Sequence, residues 1–284
     1  MINTVKHLAY ILSVKQSALT EIINNIDSYY YEKKELKRNK DGTPKLKNGL
    51  QQTRIIHPSK SQLKLIQTRI LKRIFYKIGF PEYAYGGVPG RNNIKNAKAH
   101  QGKKYIFSTD LKNYFPTITN RRVFSTYLSL GFSPTVSSLL TKLTTYKGHI
   151  PQGAPTSTSL ANFCFLSTGN RLYSFSKENH ITFTSYVDDL TFSSSNNFKH
   201  IVPSIIEIIE RDDFFINRKK TKYQTSRPVV TGIPVHNNCL GISDFIKTKH
   251  NLSTSEKTRA GIEKYILRIL KTNTPKSKDI SQTE

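Results

Sequence analysis

The stretch ITFTSYVDDLTFSS, residues 181–194, alternates apolar and polar side chains on both sides of two adjacent carboxylates. Ile181, Phe183 and Ser185 share one face of the first arm and Leu190 and Phe192 one face of the second. That period of two predicts a β-hairpin with Asp188 and Asp189 at or near its tip. A two-residue hairpin turn favours Asn-Gly or Asp-Gly because it needs positive φ, and Asp-Asp meets that need poorly. Taken alone, such a pair reads most simply as a solvated turn.

A third carboxylate changes the reading. In KKYIFSTDLKNYFPTI, residues 103–118, a strand pattern over 105–109 runs into Asp110, and Pro116 prevents its simple continuation. Antiparallel neighbours would bring Asp110 beside the hairpin pair. Two carboxylates about 4 Å apart repel by roughly 4 kcal/mol at an effective dielectric of 20. A divalent cation removes that cost, and magnesium prefers oxygen ligands while keeping positions open for water and phosphate. Two such ions can activate a sugar hydroxyl and stabilise a leaving pyrophosphate.

Around these segments the order of elements is mixed. Helical spacing of Val5, Leu8 and Leu12, and then of Leu19, Ile22 and Ile26, predicts a small helical extension over residues 1–28. A polar, basic section follows, with turn signals at Asp41-Gly42 and Asn48-Gly49 and β-like flanks at 29–36 and 51–56, which reads as an exposed basic hairpin. Leu63, Ile66, Ile70, Ile74 and Ile78 mark one face of a long helix whose other sides carry lysine and arginine. The glycine-rich loop YGGVPGRNN, residues 85–93, matches neither a P-loop nor a dinucleotide fingerprint. Further helices are expected after Asn120, at Ser133-Pro134, around Leu160, over about 198–211 and around Ile262, with strands near Phe214 and Val229 and a hairpin tipped by HNN at 236–238. The polar tail from 271 reads as disordered. This order predicts an α+β sheet with helices on one face, not a doubly wound parallel sheet.

Composition narrows the partners. The 284 residues carry 44 Lys plus Arg against 19 Asp plus Glu, a net charge of +25 spread along the chain, which points to a polyanion or to a generally sticky basic surface. Fifteen Phe and fifteen Tyr offer core volume and planar faces for bases. Two cysteines without metal-knuckle spacing fit a reducing cytoplasm, and no signal peptide or membrane-spanning run is apparent.

Taken in order, the motifs resemble a reverse transcriptase. YVDD at 186–189 resembles the active-site hairpin, DLKNYFP from Asp110 the strand bearing the first metal-binding aspartate, and PQGAPTS from Pro151 the nucleotide-positioning loop. INRKKTK, residues 216–222, resembles the lysine-bearing motif, and TRIIHPS, residues 53–59, the fingers segment. NAKAH, residues 96–100, and VTG, residues 230–232, are similar to two elements of the bacterial retron type.

The resemblance implies a right-hand polymerase: fingers and palm over residues 29–242, the palm an antiparallel sheet backed by helices, and a short helical thumb with a polar tail over 243–284. It implies that Asp110, Asp188 and Asp189 bind two Mg2+, with the Leu111 carbonyl as a further ligand. Arg54 would grip the triphosphate, Phe115 would exclude a ribonucleotide 2′-hydroxyl, Gln152 would contact the nucleotide and Lys220 would protonate pyrophosphate. Asn96, Ala97 and His100, with Val230, Thr231 and Gly232, would serve RNA binding; His100 on its own reads equally as a structural histidine. The implied activity is RNA-directed DNA synthesis from deoxynucleoside triphosphates on a cognate structured RNA, primed from a guanosine 2′-hydroxyl to give branched single-stranded DNA. A defence role with an effector protein, in the cytoplasm, belongs to the same expectation. A free-standing group II intron-like or defence-associated enzyme, or an RNA-binding scaffold for an effector, are the alternatives. Related thumbs are larger helical bundles, so a thumb truncated here or completed by another chain or by RNA is expected.

Overall fold

The computed structural model describes residues 2–37, 43–226 and 228–273. The Asp41-Gly42 turn and the tail from 274 onward lie outside the described residues. In chain order the strands are β1 (Lys33–Leu36), β2 (Leu46–Lys47), β3 (Leu50–Gln51), β4 (Thr53–Ile56), β5 (Tyr105–Asp110), β6 (Thr182–Tyr186), β7 (Asp189–Ser194), β8 (Lys222–Gln224), β9 (Val229–Val230) and β10 (Ile233–Pro234).

The central sheet has the order β6-β7-β5-β8, and every neighbouring pair is antiparallel. Its register sorts the side chains cleanly. On one face Phe183, Phe192 and Phe107 are direct cross-strand partners, with ring centroids 4.7 Å apart for Phe183 and Phe192 and 5.8 Å for Phe107 and Phe192. These rings belong to the main core with residues of the helices Asn120–Ser129, Pro134–Thr144, Ser157–Cys164, Leu166–Glu178 and Val202–Glu210. The opposite face is polar at one end, where Asp110, Asp189 and Tyr186 align, followed by the row Ser108, Thr191 and Thr184, then Ile106, Ser193 and Thr182.

The α+β expectation matches this layering, with one departure: helices are not confined to one face. The helix Asn93–Ala99 covers the far part of the polar face and, with β9, β10, Ile106 and Ile269, builds a second, smaller core. The strand expected at Phe214 is reduced to a single bridge between Leu111 and Ile216, and β8 takes the sheet-edge position instead.

At the basic N-terminal hairpin, β1 pairs with β4 and β2 with β3. Asn48 at φ 51° and Gly49 at φ 77° form the turn between β2 and β3, both central residues in the left-handed region as a tight hairpin requires. The following helix, Ser61–Ile70, continues through a π-helical turn, Leu71–Phe75, to Ile78. Gln67 anchors this region: it accepts from Ser59 Oγ at 2.6 Å and donates to Tyr30 Oη and the Leu143 carbonyl at 2.8 Å. Thr4 and Ser133 cap the N-termini of their helices through their hydroxyls.

Candidate active site

Asp110 ends β5 and Asp189 opens β7, and the two are direct cross-strand partners. Because Tyr186 pairs with Asp189, the two-residue turn is Val187-Asp188, so Asp188 lies at the tip and Asp189 is already in the strand. Val187 takes the positive φ the turn demands, 61°, a costly conformation for a β-branched residue. The peptide N–H of Leu111 donates to the Asp188 carbonyl at 2.9 Å, tying the two aspartate-bearing segments together.

What holds Val187 there is the glycine-rich loop. Tyr85 N–H donates to the Ser185 carbonyl at 2.8 Å and Ser185 N–H to the Tyr83 carbonyl at 2.7 Å, so residues 83–85 lie along the free edge of β6. A Cβ on Gly86 would stand 2.6 Å from both the amide nitrogen and Cγ2 of Val187. Asn162 Nδ2 donates to the Gly86 carbonyl at 2.8 Å and Ser159 Oγ to the Gly87 carbonyl at 3.0 Å. The loop therefore acts as a buttress behind the turn. Sequence reasoning found the glycines but assigned them no part in the site; the adjacent Gly-Gly was the available signal.

Asp110 is buried, and Lys220 Nζ donates to its Oδ1 at 2.8 Å. Burial disfavours the Lys220 ammonium, but the hydrogen bond and charge of Asp110, with Asp188 and Asp189, outweigh it and raise its pKa above the ordinary lysine value. The Asp188 carboxyl is pushed above the usual carboxylate range by burial and then by the charge of Asp110, against the pull of Lys220 and Arg54. Lys220 itself comes from a turn in which its N–H donates to the Asn217 carbonyl, while Asn217 N–H donates to the Asp110 carbonyl at 2.7 Å. The pairing of Lys220 with Asp110 was not legible from spacing.

Among the described residues, no three His, Cys, Asp or Glu side chains are gathered into a ready-made metal cage. The ammonium of Lys220 balances Asp110 and Asp189 is exposed. The donors are nonetheless all oxygens, from two adjoining strand ends, and burial followed by the charge of Asp110 makes the Asp188 carboxyl a weaker acid than usual. Such a set fits a hard divalent cation.

The remaining candidates divide. Arg54, on β4, faces Glu35 on β1 and donates to its Oε2 through Nε at 3.0 Å and Nη2 at 2.7 Å; that contact chiefly holds the Glu35 carboxyl below its usual range. Its charge reaches Asp188 as well. Gln152 is half-buried, and its carbonyl accepts from His57 N–H at 2.9 Å, joining the loop after β4 to the PQGAPTS loop. Phe115 is half-buried in the helix Tyr114–Thr117, just after β5, edge-on to Tyr114 at 5.7 Å.

Of the residues expected to serve RNA binding, Asn96, Ala97, His100 and Val230 are buried. His100 Nδ1 and Nε2 lie 2.7 Å from Ser193 Oγ and Thr184 Oγ1, bracing β7 to β6, and burial, then Lys103, depresses its pKa to about 3. Thr231 (φ 45°) and Gly232 (φ 83°) form the tight turn between β9 and β10, with Thr231 half-buried and Gly232 exposed. No helix among the described residues is long and apolar enough to cross a membrane.

Comparison with known proteins agrees with this geometry. The family model "Reverse transcriptase (RNA-dependent DNA polymerase)" matches residues 39–261. The chain is 32% identical to the Retron Ec86 reverse transcriptase of Escherichia coli over 66% of this chain and 60% of that protein. It is 31% identical to the Retron Se72 reverse transcriptase of Salmonella heidelberg over 80% of this chain and 60% of that protein. To the Retron Ec73 reverse transcriptase of Escherichia coli it is 31% identical over 72% and 69%. The chain thus spans about 60% of the length of the first two of these relatives.

Proposed function

Because this chain belongs to the reverse transcriptase family, among its retron-type members, we propose that it is an RNA-directed DNA polymerase that copies a cognate structured RNA into DNA. The observation that carries this reading is the meeting of Asp110, Asp188 and Asp189 at one end of the polar sheet face, with Lys220 on Asp110. Residues 1–28 form a helical extension, 29–242 the fingers and palm, and 243–284 the thumb and its tail.

Asp110, Asp188 and Asp189, with the Leu111 carbonyl, would hold two Mg2+, which when bound supply Lewis acidity at the attacking hydroxyl and at the leaving phosphate. The protein's own groups do the rest. Arg54 presents a planar fork to the triphosphate, a geometry that matches phosphate oxygens in pairs. Gln152, on the loop tied to β4, orients the incoming nucleotide, and Phe115 closes the space a 2′-hydroxyl would need. Lys220, charged and within reach of Asp110, donates a proton to the pyrophosphate as it leaves. Priming from a guanosine 2′-hydroxyl, a branched single-stranded DNA product and service with an effector in phage defence complete the proposal; they are supported by the likeness of NAKAH and VTG to retron elements.

The test is to express the protein from its native locus, isolate the nucleic acid bound to it and sequence it. DNA joined through a 2′,5′ linkage to a structured RNA is the expected result, and free or unlinked RNA alone would overturn the retron reading. Asp188→Asn should reduce DNA synthesis by about three orders of magnitude, near 4 kcal/mol of transition-state stabilisation, with RNA binding retained. Normal yield from that variant would sink the polymerase assignment.

A further inference from the structure

The helix Asn93–Ala99 and the turn between β9 and β10 carry the two retron-like motifs, and in the structure they form one joint that receives the C-terminal helix Glu256–Asn273. That helix has only Ile262 and Ile269 buried among its 18 residues, so apolar packing alone holds it weakly. Polar contacts supply the register. Asn93 Nδ2 donates to Tyr265 Oη at 2.7 Å and to the Thr231 carbonyl at 3.4 Å. Thr231 Oγ1 accepts from Asn96 Nδ2 at 3.3 Å and donates to the Asn93 carbonyl at 3.4 Å. Further along, Lys98 Nζ donates to the Thr272 carbonyl at 3.0 Å. Thr231 sits at positive φ, a conformation that persists in a β-branched residue only where its surroundings over-determine it.

The joint's position gives it a task. It occupies the catalytic face of the sheet: His100, at the end of the same helix, bonds Thr184 and Ser193, one and two rows below Asp110 and Asp189. Two residues along a strand advance about 7 Å, so the joint begins within roughly 7–14 Å of the aspartates. A strand of nucleic acid rises about 3.4 Å per nucleotide, so this span corresponds to roughly two to four nucleotides, and the C-terminal helix packs on the joint through Asn93 and Lys98.

We propose that Asn93 and Tyr265 are positioning residues: their hydrogen bond fixes the C-terminal helix against the catalytic face and thereby sets how many nucleotides are added before the nucleic acid dissociates. This rests on the polymerase reading above. The retron-like motifs then act as a hinge plate for the thumb, and the buried motif residues need touch no RNA.

The experiment uses the full chain with Tyr265→Phe, Asn93→Ala and the double variant, extending a DNA primer on an RNA template. Single-nucleotide addition (rate and KM for the deoxynucleotide) is measured beside product length when a heparin trap is added with the nucleotides. Tyr265→Phe should leave single addition within about two-fold yet shorten products about five-fold, the effect of one lost hydrogen bond. The double variant should be no shorter than Asn93→Ala, because the two side chains share one interaction. Unchanged product lengths, additive losses, or an equal fall in single addition would each overturn the proposal. Failure of the unmodified chain to add even one nucleotide would instead overturn the polymerase reading.

Discussion

Lys220 and His100 are both basic side chains close to the polar face, and their surroundings give them opposite tasks. The Lys220 ammonium balances the charge of Asp110, so it competes with any cation that approaches the same carboxylate. Lys220→Met should tighten Mn2+ binding about tenfold by calorimetric titration, since a neighbouring unit charge in a partly screened site is worth on the order of 1–2 kcal/mol. The same variant should slow nucleotide addition by about 10²-fold or more through loss of the proposed proton donor. An unchanged Mn2+ affinity would mean the ammonium swings clear before the cation enters. His100, in contrast, is held neutral between two hydroxyls, its pKa depressed to about 3. An unfolded chain protonates this ring at about 6.5. Between those values the unfolded state binds the extra proton, so the stability contributed by neutral His100 is complete above pH 6.5 and drains away as pH falls toward 3. The slope approaches about 1.4 kcal/mol per pH unit for one proton. Denaturant melts from pH 7 to 4 should show this slope in the native chain and a shallower one in His100→Gln.

The hairpin that carries Asp188 and Asp189 is an element whose shape depends on its neighbour. Gly86 has an ordinary φ, so Gly86→Ala strains no backbone of its own, but the added methyl meets the backbone of Val187 at 2.6 Å and the turn has to move. A displacement near 1 Å at reacting groups costs about 10²-fold in rate. Gly86→Ala should therefore lose about that much in nucleotide addition with its circular dichroism spectrum intact. Gly90, at φ 72° with open space around its missing Cβ, is the control: Gly90→Ala should cost about 1–2 kcal/mol of stability and little rate. The same elements show what was legible beforehand. Alternation at Ile181, Phe183, Leu190 and Phe192 foretold the hairpin and its buried face because a two-sided sheet imposes a period of two. The strand ends foretold where Asp110 and Asp189 stand. Hidden from the sequence were contacts set by tertiary approach: Gly86 against Val187, Lys220 on Asp110, Glu35 opposite Arg54 and His100 between two strands. The helix Asp244–Asn251 was missed for another reason, since none of its residues is buried and no apolar stripe announces it.

At the scale of the whole molecule, the dominant fact is a net charge of +25, and it separates two steps that the local geometry joins. The sheet, its two cores and the carboxylate cluster depend on packing and short hydrogen bonds, which salt screens little. Capture of an RNA, as proposed, would depend on many lysines and arginines displacing counterions from phosphates. If six to ten phosphates are neutralised, affinity should fall about 10³- to 10⁵-fold between 50 and 200 mM salt. Over that range the screening length shortens from about 14 to 7 Å, which weakens long-range attraction while leaving contacts such as Lys220 to Asp110 at 2.8 Å largely intact. Filter binding of the RNA at several salt concentrations should therefore give a steep line of log affinity against log salt. Rapid-quench addition of one nucleotide in a complex assembled at low salt and then shifted to 200 mM should change by less than about threefold, because capture is already complete. A rate that falls in parallel with binding would place the salt-sensitive charges at the reacting groups themselves. The surplus of lysine and arginine would then serve the chemistry as well as the capture of the template.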